Sequence, residues 1–175
     1  PLWGLPGDAM SGRSGLSGSM QVGSMASLAL DDTIAMRVRF DSLRPPQSDL
    51  YFRGPVLSTF DGREWRTLRS TLPQRYQLAA DLQTSGDAVR YQITLAANNR
   101  PWLLTLDATP TKPEIVGYTP SMTPELQWQT DQPMADLARY SATSYTQFRH
   151  GPQKLAVGLQ DYVDLPPGFN PRTLQ

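Results

Sequence analysis

The chain predicts a mostly β fold: an antiparallel β-sandwich or barrel-like domain with short helical segments and loops rich in Pro and Gly. Three observations carry this expectation. First, Ile34, Met36, Val38 and Phe40, and later Val89, Tyr91, Ile93 and Leu95, recur at every second position. That is the period of a strand with one buried face. Second, Asp61 and Gly62 stand between two short runs, 56–60 and 63–68, and supply the turn chemistry of a tight hairpin. Third, 13 of the 16 acidic residues are Asp, and 16 Pro and 13 Gly are spread through 175 residues without a repeat. Asp favours caps and turns over helix interiors, so this usage fits many short strands joined by breaks.

The elements follow in order. Residues 1–9 read as an extended segment carrying Trp3 and Leu5. Residues 11–27, rich in Ser, Gly and Met, read as a flexible loop. The other reading is a short helix capped by Ser24, running to Leu30 and ended by Asp31 and Asp32. A strand is expected over 34–40, a Pro-Pro loop over 43–48, and a short strand over 50–53 stopped by Gly54 and Pro55. The hairpin and the strand at 89–95 come next. Asn98 and Asn99 form a turn before a strand at 101–107. Further strand candidates lie at 115–118, 126–129 and 138–148, where helical and strand periods compete in the last. Residues 153–162 suggest a short helix. The prolines at 166, 167 and 171 exclude regular structure from 165–172, which reads as a linker. The division is therefore an N-terminal segment at 1–30, a β-rich domain at 31–163 and a linker at 164–175.

Composition excludes several functions. The 16 basic and 16 acidic residues balance, and no basic stripe interleaved with aromatics marks a nucleic-acid site. Neutrality gives no electrostatic reason for a polyanionic partner. The absence of cysteine removes disulfides, thiolate metal sites and cysteine nucleophiles. No apolar run approaches the roughly 18–20 residues that span a bilayer. The chain is expected to be soluble, with any membrane anchor outside it.

The candidate chemistry is thin. His150 is the single histidine, no Gly-x-Ser-x-Gly elbow accompanies it, and it reads as a solvated loop residue. One histidine makes a histidine-based metal site improbable, and no spaced oxygen cluster suggests calcium. Glu64, Glu114 and Glu125 are too scattered for a glycosidase pair. No cofactor and no metal are expected. Trp65 and Trp102 fall on expected strands and are read as core residues, although aromatics on a sheet face can also bind sugar or peptide. Arg53 and Arg66, near Asp61, are expected to form a local ion pair or to meet another domain.

Residues 50–66, Leu-Tyr-Phe-Arg-Gly-Pro-Val-Leu-Ser-Thr-Phe-Asp-Gly-Arg-Glu-Trp-Arg, supply the most specific pattern. The run resembles the "L-Y-W-R-G-P-V-L…F-D-G-R-x-W-R" signature of the N-terminal periplasmic region of bacterial membrane-anchored transglutaminase-like proteins, the TgpA type. Similar runs extend to both ends. Residues 1–6 resemble "P-L-W-x-L-P", 14–20 "T-G-L-S-D-x-M", 32–38 "D-x-x-A-F-R-V", and 165–172 the "L-P-x-x-x-N-P-R" junction. Phe52 stands where the family usually has Trp, and Gly18 where Asp is common. The signature positions are Tyr51, Arg53, Gly54, Pro55, Asp61, Gly62, Trp65, Asn170, Pro171 and Arg172, with structural or interdomain roles implied.

The resemblance implies an accessory domain on the periplasmic side of the bacterial inner membrane. Transmembrane segments outside this chain would anchor it. Its partner would be a transglutaminase core of the same polypeptide, following the Asn170–Pro171–Arg172 junction and acting on protein substrates. That core would use a thiolate to attack a glutamine carboxamide, forming a thioester that a lysine amine resolves. Its catalytic residues lie beyond the junction, so none falls on a residue here, and the chain alone is expected to be inactive. The alternative is an independent periplasmic binding module for peptidoglycan or an envelope protein.

Overall fold

The computed structural model describes residues 16–21, 34–164, Pro166 and Gly168. Fourteen strands form five antiparallel sheets among these residues. The central sheet holds β10 (Glu114–Ile115), β13 (Ala138–Ser144), β7 (Val89–Leu95) and β2 (Met36–Phe40), in that order. The signature hairpin β4 (Thr59–Phe60) and β5 (Glu64–Arg66) takes β1 (Ser19–Gln21) as a third strand. A second three-stranded sheet runs β11 (Ser121–Met122), β12 (Trp128–Met134), β8 (Arg100–Leu103). Two pairs complete the set: β14 (Gln147–His150) with β6 (Leu82–Ser85), and β3 (Phe52–Arg53) with β9 (Thr105–Leu106). The architecture is sandwich-like and mostly β, as expected.

The alternation in β7 decides the core. Val89, Tyr91, Ile93 and Leu95 are all buried, and the facing strand buries Ala138, Tyr140, Ala142 and Ser144. Their register sets large against small: Leu95 opposite Ala138, Tyr91 opposite Ala142, with Ile93 opposite Tyr140. Met36, Val38 and Phe40 extend the same rows across β2. Leu103, Leu104, Leu106, Trp128 and Met134 from the second layer close onto this face. Phe40 and Phe52 meet the Tyr91 ring at 5.9 and 6.1 Å between centroids, the second edge-on, an arrangement aromatic quadrupoles favour.

The core also holds a closed hydrogen-bond circuit. Thr109 Oγ1 donates to the Leu106 carbonyl at 2.8 Å, so its oxygen is free to accept from Ser144 Oγ at 2.6 Å. Ser144 in turn accepts from the Tyr91 hydroxyl at 2.7 Å. The Tyr91 oxygen accepts from the Leu106 amide at 2.8 Å, closing the ring on the residue where it began. Two further bonds tie the layers together. Tyr140 donates to the Leu104 carbonyl and Trp128 Nε1 to the Thr109 carbonyl. Burial pushes the Tyr91 and Tyr140 hydroxyls up from their ordinary range, which keeps both protonated and able to donate.

Several expectations need correction. Residues 19–21 of the expected flexible loop are strand β1, because the hairpin edge offers them a ladder; the Ser24–Leu30 helix lies outside the described residues. Ile34 falls before β2 and is exposed. Residues 138–148 are two strands in different sheets, separated at Tyr145 and Thr146, and carry no helix. The candidate at 126–129 starts at Trp128 and runs on to Met134. Its register slips against β8 around Pro133, which has no amide to give the ladder. Residues 153–162 give only a 3-10 turn, Val157–Tyr162. The stretch 70–88, without any motif, holds β6, a strand defined by its partner β14.

A Tyr91→Phe substitution keeps the ring and removes the hydroxyl. It leaves the Leu106 amide without its acceptor and Ser144 without its donor. The expected loss is about 2–3 kcal/mol, measured by urea unfolding. A loss below about 0.5 kcal/mol would show that the circuit does not brace the core.

Candidate functional site

Residues 51–66 are placed by two local devices. At the turn, Asp61 Oδ1 accepts from the backbone amides of Arg63 and Glu64, both at 2.9 Å. Gly62 alone takes a positive φ, 101°, which a side chain would resist. Arg66 then clamps the turn, with Nη2 at 3.2 Å from Asp61 and 2.5 Å from Glu64. Backbone hydrogen bonds from Glu64 and Arg63 hold the Asp61 carboxyl below its ordinary value. The Ser19 side chain and then Arg66 do the same for Glu64. Trp65 stacks on Phe60 at 4.9 Å and stays 40% exposed. It is therefore a surface residue, contrary to the core role expected. Trp102 is half-buried against the core, and among the described residues the buried tryptophan is Trp128.

On β3, Arg53 forms an ion pair with Asp107 rather than with Asp61. Its Nε is buried without a hydrogen-bond partner among the described residues. Its guanidinium lies 6.0 Å from the Tyr51 ring centroid. Gly54 packs beside Leu104 and Leu16, whose methyls a Cβ there would meet at ordinary contact distances of 3.5 and 3.6 Å. Pro55 ends the strand. Asn170, Pro171 and Arg172 lie outside the described residues. Thus Asp61, Gly62 and Trp65 come together at the hairpin, and Tyr51, Arg53 and Gly54 at β3.

Arg53, Val56 and Ser58 form one wall of a mainly apolar cleft of about 320 Å³. Leu78, Pro124, His150, Leu159 and Tyr162 supply much of the rest. The 3-10 turn Val157–Tyr162 closes one side. Tyr162 donates to Glu125 Oε1 at 2.5 Å, and Ser70 donates to Asp161 at 2.5 Å. Burial and the Glu125 carboxylate push the Tyr162 hydroxyl well up. Gly158 permits this docking: a Cβ there would stand 2.8 Å from the Tyr76 carbonyl oxygen. Glu125 is presented by a strained turn in which buried Leu126 has φ 62°, a conformation costing about 1–2 kcal/mol. Sequence reasoning set Glu125 aside as one of three scattered glutamates and missed Gly158 and Tyr162, because their contacts span long separations.

His150 Nε2–H donates to the Pro124 carbonyl at 2.9 Å, so that nitrogen has no free lone pair. Glu125 is engaged by Tyr162. Among the described residues no cluster of three or more His, Asp and Glu could hold a metal ion. Among them, too, no helix is long and apolar enough to cross a membrane.

A family model described as the TgpA N-terminal domain matches residues 1–150. The chain belongs to the TgpA N-terminal domain family. A protein-glutamine gamma-glutamyltransferase of Pseudomonas aeruginosa is 38% identical over 112 residues, covering 63% of this chain and 16% of that protein. Two crystal structures of the periplasmic domain of TgpA from Pseudomonas aeruginosa share the fold. One has a TM-score of 0.76 at 27% identity, over 91% of this chain and 53% of that one. The other, bound to ethylmercury, has a TM-score of 0.74 at 29% identity, over 90% and 53%. The chain thus spans about half of these solved domains and a smaller part of the curated TgpA-type enzyme.

Two outcomes test this geometry. Asp61 should titrate below 3.8 by carboxyl NMR. A depressed carboxylate stabilises the fold above its unfolded value, and the gain is lost as pH falls through the lowered midpoint. Asp61→Asn should therefore flatten the stability–pH curve below about pH 4; an unchanged curve would contradict the turn role. Gly158→Ala should free the C-terminal turn. Amide exchange over 156–163 should speed at least about tenfold while β7 and β13 keep their protection. Equal exchange in both proteins would mean the contact does not hold the turn.

Proposed function

We propose that this chain is a periplasmic accessory domain of a membrane-bound protein-glutamine gamma-glutamyltransferase, supporting or orienting a C-terminal Cys-His-Asp core. In this reading residues 1–30 follow a membrane anchor, 31–163 form the accessory domain, and 164–175 lead into the core. It sits on the periplasmic side of the bacterial inner membrane, touching the membrane only through segments outside this chain. The core, in the same polypeptide, meets the protein substrates. The observation that carries it is the family match over 1–150, joined to a shared fold that covers about half of the solved periplasmic domain. The absence of cysteine and the engagement of Glu125 by Tyr162 support an inactive domain. The chain leaves the sheets after His150, and the Val157–Tyr162 turn, packed onto the cleft, lies on its path toward the junction. Arg53, Gly54, Asp61 and Trp65 are proposed to shape the face that meets the core.

A transamidation assay with a glutamine-containing peptide and a fluorescent amine tests this. The chain alone should show no incorporation, and the full-length polypeptide should be active. Deleting residues 31–163 from it should lower kcat/KM by about tenfold or more. Incorporation by residues 1–175 alone would overturn the proposal. The exposed Trp65–Phe60 stack favours a second reading, a binding module for peptidoglycan or an envelope protein. Full activity of the deletion protein, with the isolated chain retained on peptidoglycan, would select it.

A further inference from the structure

The outward face of the central sheet carries a charge cluster that the linear sequence hides. Its exposed positions include Arg37 and Arg39 on β2, Arg90 on β7 and Arg139 on β13. Register places Arg37, Thr94 and Arg139 in one row, and Arg39, Gln92, Ser141 and Glu114 in the next. Arg39 pairs with Asp41 at 3.2 Å. Arg37, Arg90 and Arg139 have no ion pair among the described residues. In a chain of zero net charge, three strands have brought unpaired guanidinium groups to one face.

The face is also concave. Arg37, Arg39 and Arg139, with Gln92, Thr94 and a single apolar residue, Val38, line a hollow of about 420 Å³. We propose that this hollow is a docking site for an extended acidic segment of a partner protein. Arg37 and Arg139 stand two strand spacings apart, about 10 Å. An extended polyproline-II chain has three residues per turn and rises about 3.1 Å per residue, so carboxylates three residues apart lie on one side and match that span. Each guanidinium offers a planar donor fork that fits a carboxylate in a bidentate pair. Thr94 and Gln92, between the arginines, can hydrogen-bond the segment's backbone. A membrane surface fits less well. Membrane-lying elements add apolar side chains to their cations, and these rows hold only Arg, Thr, Gln, Ser and Glu. A hollow also receives a protruding chain rather than a flat bilayer. The site requires no catalytic core, so it stands apart from the function proposed above.

The test uses fluorescence anisotropy of a labelled Glu-Thr-Thr-Glu-Thr-Thr-Glu peptide with the 175-residue chain at low salt. Saturable binding should weaken about tenfold in Arg37→Ala/Arg139→Ala. It should also weaken with added salt. A control pair, Arg63→Ala/Arg75→Ala, removes the same charge elsewhere and should leave affinity unchanged. No binding, an equal loss in both pairs, or no loss in the first pair would each overturn the proposal. So would binding of phosphatidylglycerol vesicles without binding of the peptide.

Discussion

The hydroxyl circuit through Tyr91, Ser144, Thr109 and Leu106 is the constraint on which the other placements depend. Hydrophobic burial alone would let the second layer slide over the central sheet, because it has no direction. The circuit does have direction. It fixes Leu106, and with it strand β9, at one position over Tyr91 and Ser144. Leu106 pairs with Phe52, whose ring stands edge-on to Tyr91. Asp107 follows directly and holds Arg53. The signature strand is thereby located by a tyrosine hydroxyl nearly forty positions later in sequence. Each member of the ring both gives and receives, so deleting one group strands its neighbours in a low-dielectric interior, where an unpaired polar atom is costly.

What the sequence shows of this fold is what is encoded locally. The alternation at 36–40 and 89–95 names faces correctly, since both strands pack one side against the core, whereas Ile34 falls outside β2 and is exposed. Asp61 and Gly62 declare their turn because its chemistry lies within four residues. What needs a partner stays hidden. β1 and β6 have no pattern of their own and exist because the hairpin edge and β14 offer ladders. The exchange of Trp65 for Trp128 as the buried tryptophan has the same origin: the hairpin is a small sheet whose outer ring stacks on Phe60, with Met20 beside it in register, and stays part exposed. One signal was available. Ser144 continues the period of Ala138, Tyr140 and Ala142, so β13 should bury it. A buried serine implies a hydrogen-bond partner.

The candidate cleft was the least legible part. Its walls come from β3, the loop at 78–79, the turn at 123–127, the end of β14 and the C-terminal 3-10 turn. Local costs gather around it: the left-handed Leu126, the buried unpaired Arg53 Nε and the close approach at Gly158. Consistency across levels is what makes a sequence fold, and departures from it collect where function or assembly demands them. The core strands carry fewer of them, the unpaired Trp102 Nε1 on β8 and Thr105 Oγ1 on β9. Those at the cleft lie beside the path toward the junction, where the proposal puts the interdomain contact.

Charge tells a related story. Neutral composition excludes a global field, yet sheet geometry can sort balanced charges into separate regions. Arg53 and Arg66 are consumed by Asp107, Asp61 and Glu64 around the signature elements. On the central sheet the outward rows hold arginine against threonine, glutamine and serine, and acids appear only at the margins, as Asp41 and Glu114. A solvated face needs no such separation: interspersed signs would keep it soluble with less repulsion among like charges. Retaining unpaired guanidinium groups in register around a hollow costs some self-repulsion in the free domain. An anionic partner would relieve it. The two faces therefore divide the work of the domain, one using its arginines to hold its own loops in place, the other leaving them free for an outside group.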